Sequence, residues 1–315
     1  MQKSVLIGLF MLTINAAIAQ NLTENYKPNN TTLSITPTIG YSISKTTFNI
    51  AGNELGKNPN VLSELIWDPT NALEYGVDLK LAHRKFVLNA DLTFNKTLLG
   101  NVSDIDYGGD NRTQPYSTLY LSNHKGLGYS IKIQPGYEWS KLENLSLTTY
   151  LSLDLTSRSL YILNDNNWRS NERNYIAGLN SYYKYKFPNY GIGLALDYNL
   201  SPQWSTQIAI EGAISKYYAY GNWNLIEEFE KPISYEHKGN GKKVNTSLGL
   251  AYTIHPRTSL AISYNLDHFN VTNGKDYLYS KSSGILKARL NEANETKHAF
   301  LFGLRYTLPL ANAYN

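Results

Sequence analysis

The sequence predicts an all-β fold, a ten-stranded antiparallel transmembrane β-barrel. Three observations predict it. Apolar and polar residues alternate along runs that often exceed ten residues, whereas strands of soluble sheets average about five or six. The polar rows carry charge, including Asp154, Arg158, Asp197 and Glu211, which suits a polar lumen and cannot face lipid. Finally, the connections between runs alternate between tight turns and longer polar stretches. A soluble β-sandwich or a lipocalin-like barrel is the alternative, with its apolar face inward and its strands shorter.

Taken in order, the chain opens with Met1-Gln2-Lys3, an apolar run from Ser4 to Ile14 and the small-x-small triplet Ala17-Ile18-Ala19. This pattern reads as a signal peptide over 1–19, too short for the ~20 apolar residues of a membrane helix. Residues 20–315 then form a single outer-membrane barrel domain, with Gln20 at its start.

The first strand, 33–48, alternates Ile35, Pro37, Ile39, Tyr41 and Ile43 with small polar residues. Further strands follow at 61–81, 85–100, 126–140, 145–164, 174–200, 204–226, 233–254, 258–274 and 295–309. A tilted membrane strand needs ~9–11 residues to cross the hydrocarbon, and each run supplies them. Tight turns fall at His83-Arg84, Leu142-Glu143, Ser201-Pro202 and His255-Pro256. The connections 49–60, 101–125, 165–173, 227–232 and 275–294 are mostly longer and rich in Asn, Gly and Asp. Short periplasmic turns and longer outer loops fit such a barrel, and an even strand count returns both termini to the periplasm.

Composition agrees. Cysteine is absent, so no disulfide framework holds this exported chain. Tyrosine supplies 26 of the 315 residues. Mean hydropathy is −0.38, as a wall that is apolar at every second residue allows. A net charge of +4, dispersed along the chain, gives no case for nucleic acid. The Asn-x-Ser/Thr triplets, such as Asn95-Lys96-Thr97, are expected by chance in an Asn-rich chain.

Four passages resemble the omptin family, ten-stranded outer-membrane proteases. They are Ser63-Glu64-Leu65-Ile66-Trp67-Asp68, the segment from Gly100 through Asp104 and Asp106 to Tyr107, Lys186-Phe187-Pro188 through Leu194, and a last pair, Val271 to Lys275 with Gly303 to Leu308. The resemblance implies a cell-surface endopeptidase in the outer membrane. In that mechanism one aspartate pair holds the attacking water, and an Asp-x-His dyad across the mouth acts as general base. It also implies no cofactor beyond a bound lipopolysaccharide, an extracellular peptide or protein as substrate, and a monomer.

Carried over residue by residue, Asp104 and Asp106 match the first pair. Two residues apart on an extended chain, they project to the same side; the plain alternative is a loop Asp-x-Asp that only hydrates. The second cluster departs from the family. Glu227-Glu228-Phe229 falls where the dyad belongs, and Phe229 cannot accept a proton. Glu227 remains as the carboxylate, and His237 on the eighth strand is a candidate relocated base, against the reading of a rim residue. His124 is a weaker candidate. Parity continued from Gln207, Glu211 and Ser215 points Glu227 and Phe229 inward. Arg158, Lys184 and Lys186 are candidates for lipopolysaccharide, although parity turns Arg158 into the lumen. No Ser-His-Asp order, phosphate loop or zinc spacing is present. A non-catalytic surface adhesin or binding barrel is therefore kept as the alternative, with a small porin or lipid-handling barrel behind it.

Overall fold

The computed structural model describes residues 31–141, 144–164 and 175–310. The expected signal segment 1–19, Gln20, the Leu142-Glu143 turn and the whole 165–173 connection lie outside them.

The described strands are β1 (Thr31–Ile50), β2 (Ser63–His83), β3 (Phe86–Gly109), β4 (Thr113–Ser122), β5 (Leu127–Lys141), β6 (Leu145–Leu163), β7 (Asn180–Asn199), β8 (Trp204–Asn222), β9 (Tyr235–His255), β10 (Thr258–Ser280) and β11 (Gly284–Pro309). All neighbouring strands pair antiparallel, and β11 closes on β1 from Thr32 opposite Pro309 to Ile50 opposite Leu290. Ten strands make the wall in chain order, skipping β4, because β3 pairs with β5 below Lys96 and β5 with β6. Above that level β4 takes the place of β5, pairing with Asn101–Gly109 of β3 and touching β6 at Ser122 opposite Leu163.

The wall is apolar outside and polar inside. Ile39 and Ile43 of β1, Ile131 and Ile133 of β5, Ile192 and Leu194 of β7, and Phe300 and Phe302 of β11 are all exposed. Glu74, Asp154, Glu211 and Lys243 are buried. A soluble barrel has the reverse arrangement, so the exposed belt is the lipid-facing surface. Several charges in this lumen are paired across it. Lys243 Nζ of β9 lies 2.6 Å from Asp154 of β6 and 3.5 Å from Asp267 of β10. Arg158 of β6, inward as its parity predicts, lies 2.8 Å from Glu295 of β11 and donates to Ser44 of β1. Buried ions need such partners to offset lost hydration.

Above the charged layer the lumen fills with rings. Phe48 of β1 meets Tyr183 of β7 at 4.7 Å between centroids, and Trp67 of β2 stacks on the same Tyr183 at 5.6 Å. Tyr185 and Phe187 of β7 reach Phe269 of β10. These contacts cross the barrel, and Trp67, Tyr183, Tyr185 and Leu160 are almost fully buried. The aromatic layer is a plug that closes the passage.

Two expected loops are instead strands. Within 101–125, β3 continues to Gly109 and returns as β4; within 275–294, β10 runs to Ser280 and β11 begins at Gly284. Their Asn, Gly, Lys and Asp content masked a strand signal carried by Val102, Ile105, Leu119, Tyr277 and Tyr279. Pairing with a partner strand, which local composition does not register, supplies the remaining stabilisation.

Candidate functional site at the barrel mouth

The upper parts of β2, β3, β4, β9 and β10, with the connection 223–234, form the mouth. Asp104 and Asp106 stand on upper β3, beyond the lipid belt. Asp104 lies opposite Leu65 of β2 and Leu119 of β4, and Asp106 opposite Ser63 and Ser117. Both carboxyls are shifted upward. Burial, and then the neighbouring Asp106 charge, push Asp104 up to about 7. Burial also raises Asp106, against a lowering hydrogen bond from Ser63. Asp104 Oδ1 is buried without a hydrogen-bond partner.

His237 of β9 is fully enclosed, at 0% exposure. Its neighbours in register are Ala219 of β8 and Asp276 of β10. Nδ1 lies 2.8 Å from the Tyr183 hydroxyl, which lies 2.7 Å from the Tyr217 hydroxyl. Asp276 Oδ1 is 3.1 Å from Nε2, yet off the line a hydrogen bond needs, so Nε2 has no hydrogen-bond partner. Phe48 covers the imidazole edge-on at 4.6 Å.

Tyr235, two residues before His237, links the two acidic sides. Its ring stacks between Tyr183 at 6.0 Å and Trp223 at 5.7 Å. Its hydroxyl is buried and unpartnered. Burial, then the Asp104 and Asp276 charges, raise it well above the ordinary phenol range. Gly221 of β8 makes room for this ring, since a Cβ there would lie 2.1 Å from Tyr235 Cζ.

The structure thus brings Asp104 beside Asp106 and His237 beside Asp276. It does not bring Glu227 to either. β8 ends at Asn222, so strand parity stops before Glu227, which is exposed on the connection. Phe229 is half-buried and bridges to Ser280. His237, the candidate relocated base, pairs in register with Ala219 and Asp276 and not with Glu227. Glu228, the neighbour of Glu227, accepts from Ser280 Oγ at 2.5 Å and from Ser282 N at 3.0 Å, and these bonds hold it down to about 2. His124 is exposed and bonds only locally, 2.7 Å from Ser122 Oγ.

No motif in the sequence marks Asp276 or Tyr235. The signal for Asp276 was the alternation of Tyr277 and Tyr279, which extends β10 past Gly274 and sets Asp276 inward. On the outer wall, Lys184 lies 4.7 Å from the Tyr182 ring and Lys186 lies 5.4 Å from that of Tyr218. Glu236 accepts from Tyr218 at 2.5 Å and from Tyr279 at 2.9 Å, and pairs with Lys238 at 2.8 Å. Just below, Tyr190, Lys216, Asn240, Lys242, Asn270 and Thr272 line an outer groove of about 440 Å³.

Among solved structures, the chain resembles the outer membrane protease OmpT of Escherichia coli, at a TM-score of 0.68 and 14% identity, over 91% of this chain and 99% of that one. The outer membrane protein OprG of Pseudomonas aeruginosa is also similar, at a TM-score of 0.34 and 10% identity, over 88% and 96%. The first likeness is one of fold. No curated protein matches the sequence. A model of the Protochlamydia outer membrane protein family matches residues 40–308. With its apolar belt and closed antiparallel wall, the chain is a β-barrel of the cell outer membrane and belongs to the Protochlamydia outer membrane protein family.

Proposed function

We propose that the chain is a non-catalytic surface-binding barrel whose rim engages an extracellular peptide or protein. The enclosure of His237 carries this reading. A general base must come within about 3 Å of the proton it takes, directly or through one water. His237 is enclosed at 0% exposure beneath Phe48, Tyr183 and Tyr235, and Glu227 stands apart on another segment. The same aromatic layer closes the lumen, which counts against a porin. What remains open to the exterior is the rim.

The outer wall supports lipopolysaccharide as a bound lipid. Lys186, Lys216, Lys238 and Lys242 lie above the apolar belt, with Tyr218 and Glu236 among them. Lysines there suit lipid phosphates, and tyrosines suit the interface.

A second reading is an omptin-type endopeptidase. It is favoured by the unpartnered Asp104 Oδ1 and Tyr235 hydroxyl, two buried polar atoms that a water would satisfy. Its machinery would be Asp104, Asp106 and His237, with Asp276 in the place expected for Glu227.

The test uses the purified barrel in lipopolysaccharide with fluorogenic peptides containing basic residues, and cells displaying the barrel on wells coated with purified extracellular glycoproteins. Adhesion without cleavage is expected. Cleavage by wild type that Asp104→Asn removes would replace the binding reading by the second one.

A further inference from the structure

The hairpin of β10 and β11 rises above the rim with one side unpaired. On the β1 side, pairing ends at Arg289, whose carbonyl accepts from Ala51 N at 2.9 Å and whose N–H donates to Asn53 O at 3.1 Å. Among the described residues, the next ones, Gly284–Ala288, pair only with β10, from Ser280 opposite Gly284 to Asp276 opposite Ala288. In an antiparallel strand, backbone groups alternate between its two sides. Since Arg289 points its N–H and C=O toward the β1 side, Lys287 and Ile285 do so too, and there they meet no strand among the described residues.

Both faces of this edge are exposed and differ in chemistry. Ile285 is 58% exposed and Leu286 46%. Ile285, Lys287 and Arg289 share one face, and Leu286 and Ala288 the other. The hairpin's cations are Lys275, Lys281, Lys287 and Arg289. Two nearby acids are already engaged, while Glu54, next to the Asn53 that holds Arg289, stands exposed. Asp276 sits against His237, and Glu228 accepts from Ser280 and Ser282. An exposed strand edge of this kind accepts a further strand, whose main chain supplies affinity and whose alternate side chains supply specificity.

We propose that the free edge of β11 at Gly284–Ala288 docks an extended acidic peptide segment, one that alternates acidic with apolar residues. This rests on the surface-binding reading and names the chemistry of its partner. The docked strand pairs its backbone with Ile285 and Lys287. Its acidic side chains lie beside Lys287 and Arg289, and its apolar ones beside Leu286 and Ala288. Five residues, about 16 Å at ~3.3 Å each, set the length read.

The experiment measures fluorescence anisotropy of a labelled octapeptide alternating glutamate and valine, titrated with the purified barrel. Binding is expected, with none for the lysine–valine counterpart. Lys287→Glu should raise Kd by about tenfold or more. Ile285→Pro removes a free N–H without touching the β10 ladder and should abolish binding. An N-methylated peptide, blocked in its backbone, should fail against wild type whatever the variant's folding. Equal binding of the N-methylated or lysine peptide, no binding at all, or wild-type dimers that Ile285→Pro dissociates would each overturn the proposal. Adhesion of displayed cells that persists while the glutamate peptide fails removes the edge and leaves the surface-binding reading standing. Loss of adhesion removes both.

Discussion

The His237 imidazole sits between the Tyr183 hydroxyl, 2.8 Å from Nδ1, and the Asp276 carboxylate, 3.1 Å from Nε2, with no surface open to water. A polar side chain so placed is part of the plug, and its removal leaves a cavity against the buried Asp276.

His237→Ala should therefore destabilise the barrel by about 2–4 kcal/mol, from the cavity and the buried Asp276 left without its neighbour. Urea unfolding followed by tryptophan fluorescence measures this. A loss under ~0.5 kcal/mol would show that the imidazole is not packed as described.

Asp104 gives a pH dependence of definite sign. Burial raises its folded pKa to about 7, above the unfolded value near 4. The folded state therefore holds its proton more tightly, and this contribution is complete below about pH 4 and lost as pH rises to about 7. Asp104→Asn should flatten that fall and leave the variant more stable than wild type at pH 8, by about 1–3 kcal/mol. Urea midpoints at pH 5 and pH 8 give the comparison, and an unchanged difference between the two would refute the burial.

The Arg158–Glu295 pair crosses the lumen at 2.8 Å, and Tyr185 also donates to Glu295. Removing either charge alone should cost about 3–5 kcal/mol, because its partner remains buried without compensation. Arg158→Met combined with Glu295→Met should recover most of the loss. A double-mutant cycle in urea shows whether the two single effects add, and additivity would dissolve the pair.

The aromatic layer predicts electrical silence. Wild type in planar bilayers should show no stable single-channel steps, while Trp67→Ala with Tyr183→Ala should admit ions. Steady conductance from wild type would mean that the plug opens.

Much of the barrel was legible in sequence because alternation is a local property with a period of two. Its parity turns Arg158 and Asp154 inward without any knowledge of the partner strands. The candidate mouth was less legible. Glu227 and Phe229 were placed inward by extending the rhythm of β8, and that rhythm ends at Asn222. Asp276 was hidden in a stretch whose Asn, Lys and Asp content resembles a loop, although Tyr277 and Tyr279 continue the strand. Lys186 meets the Tyr218 ring and Tyr218 bonds Glu236 from three separate strands, so no contiguous motif displays them.

Alternation alone assigns residues to lipid or lumen, because the side chain's side of a strand follows from its position in the run. Which inward residues meet is a property of the closed wall. Strand stagger and closure set which side chains share a level. They placed His237 against Asp276 and not beside Glu227, and Arg158 opposite Glu295, more than a hundred residues away.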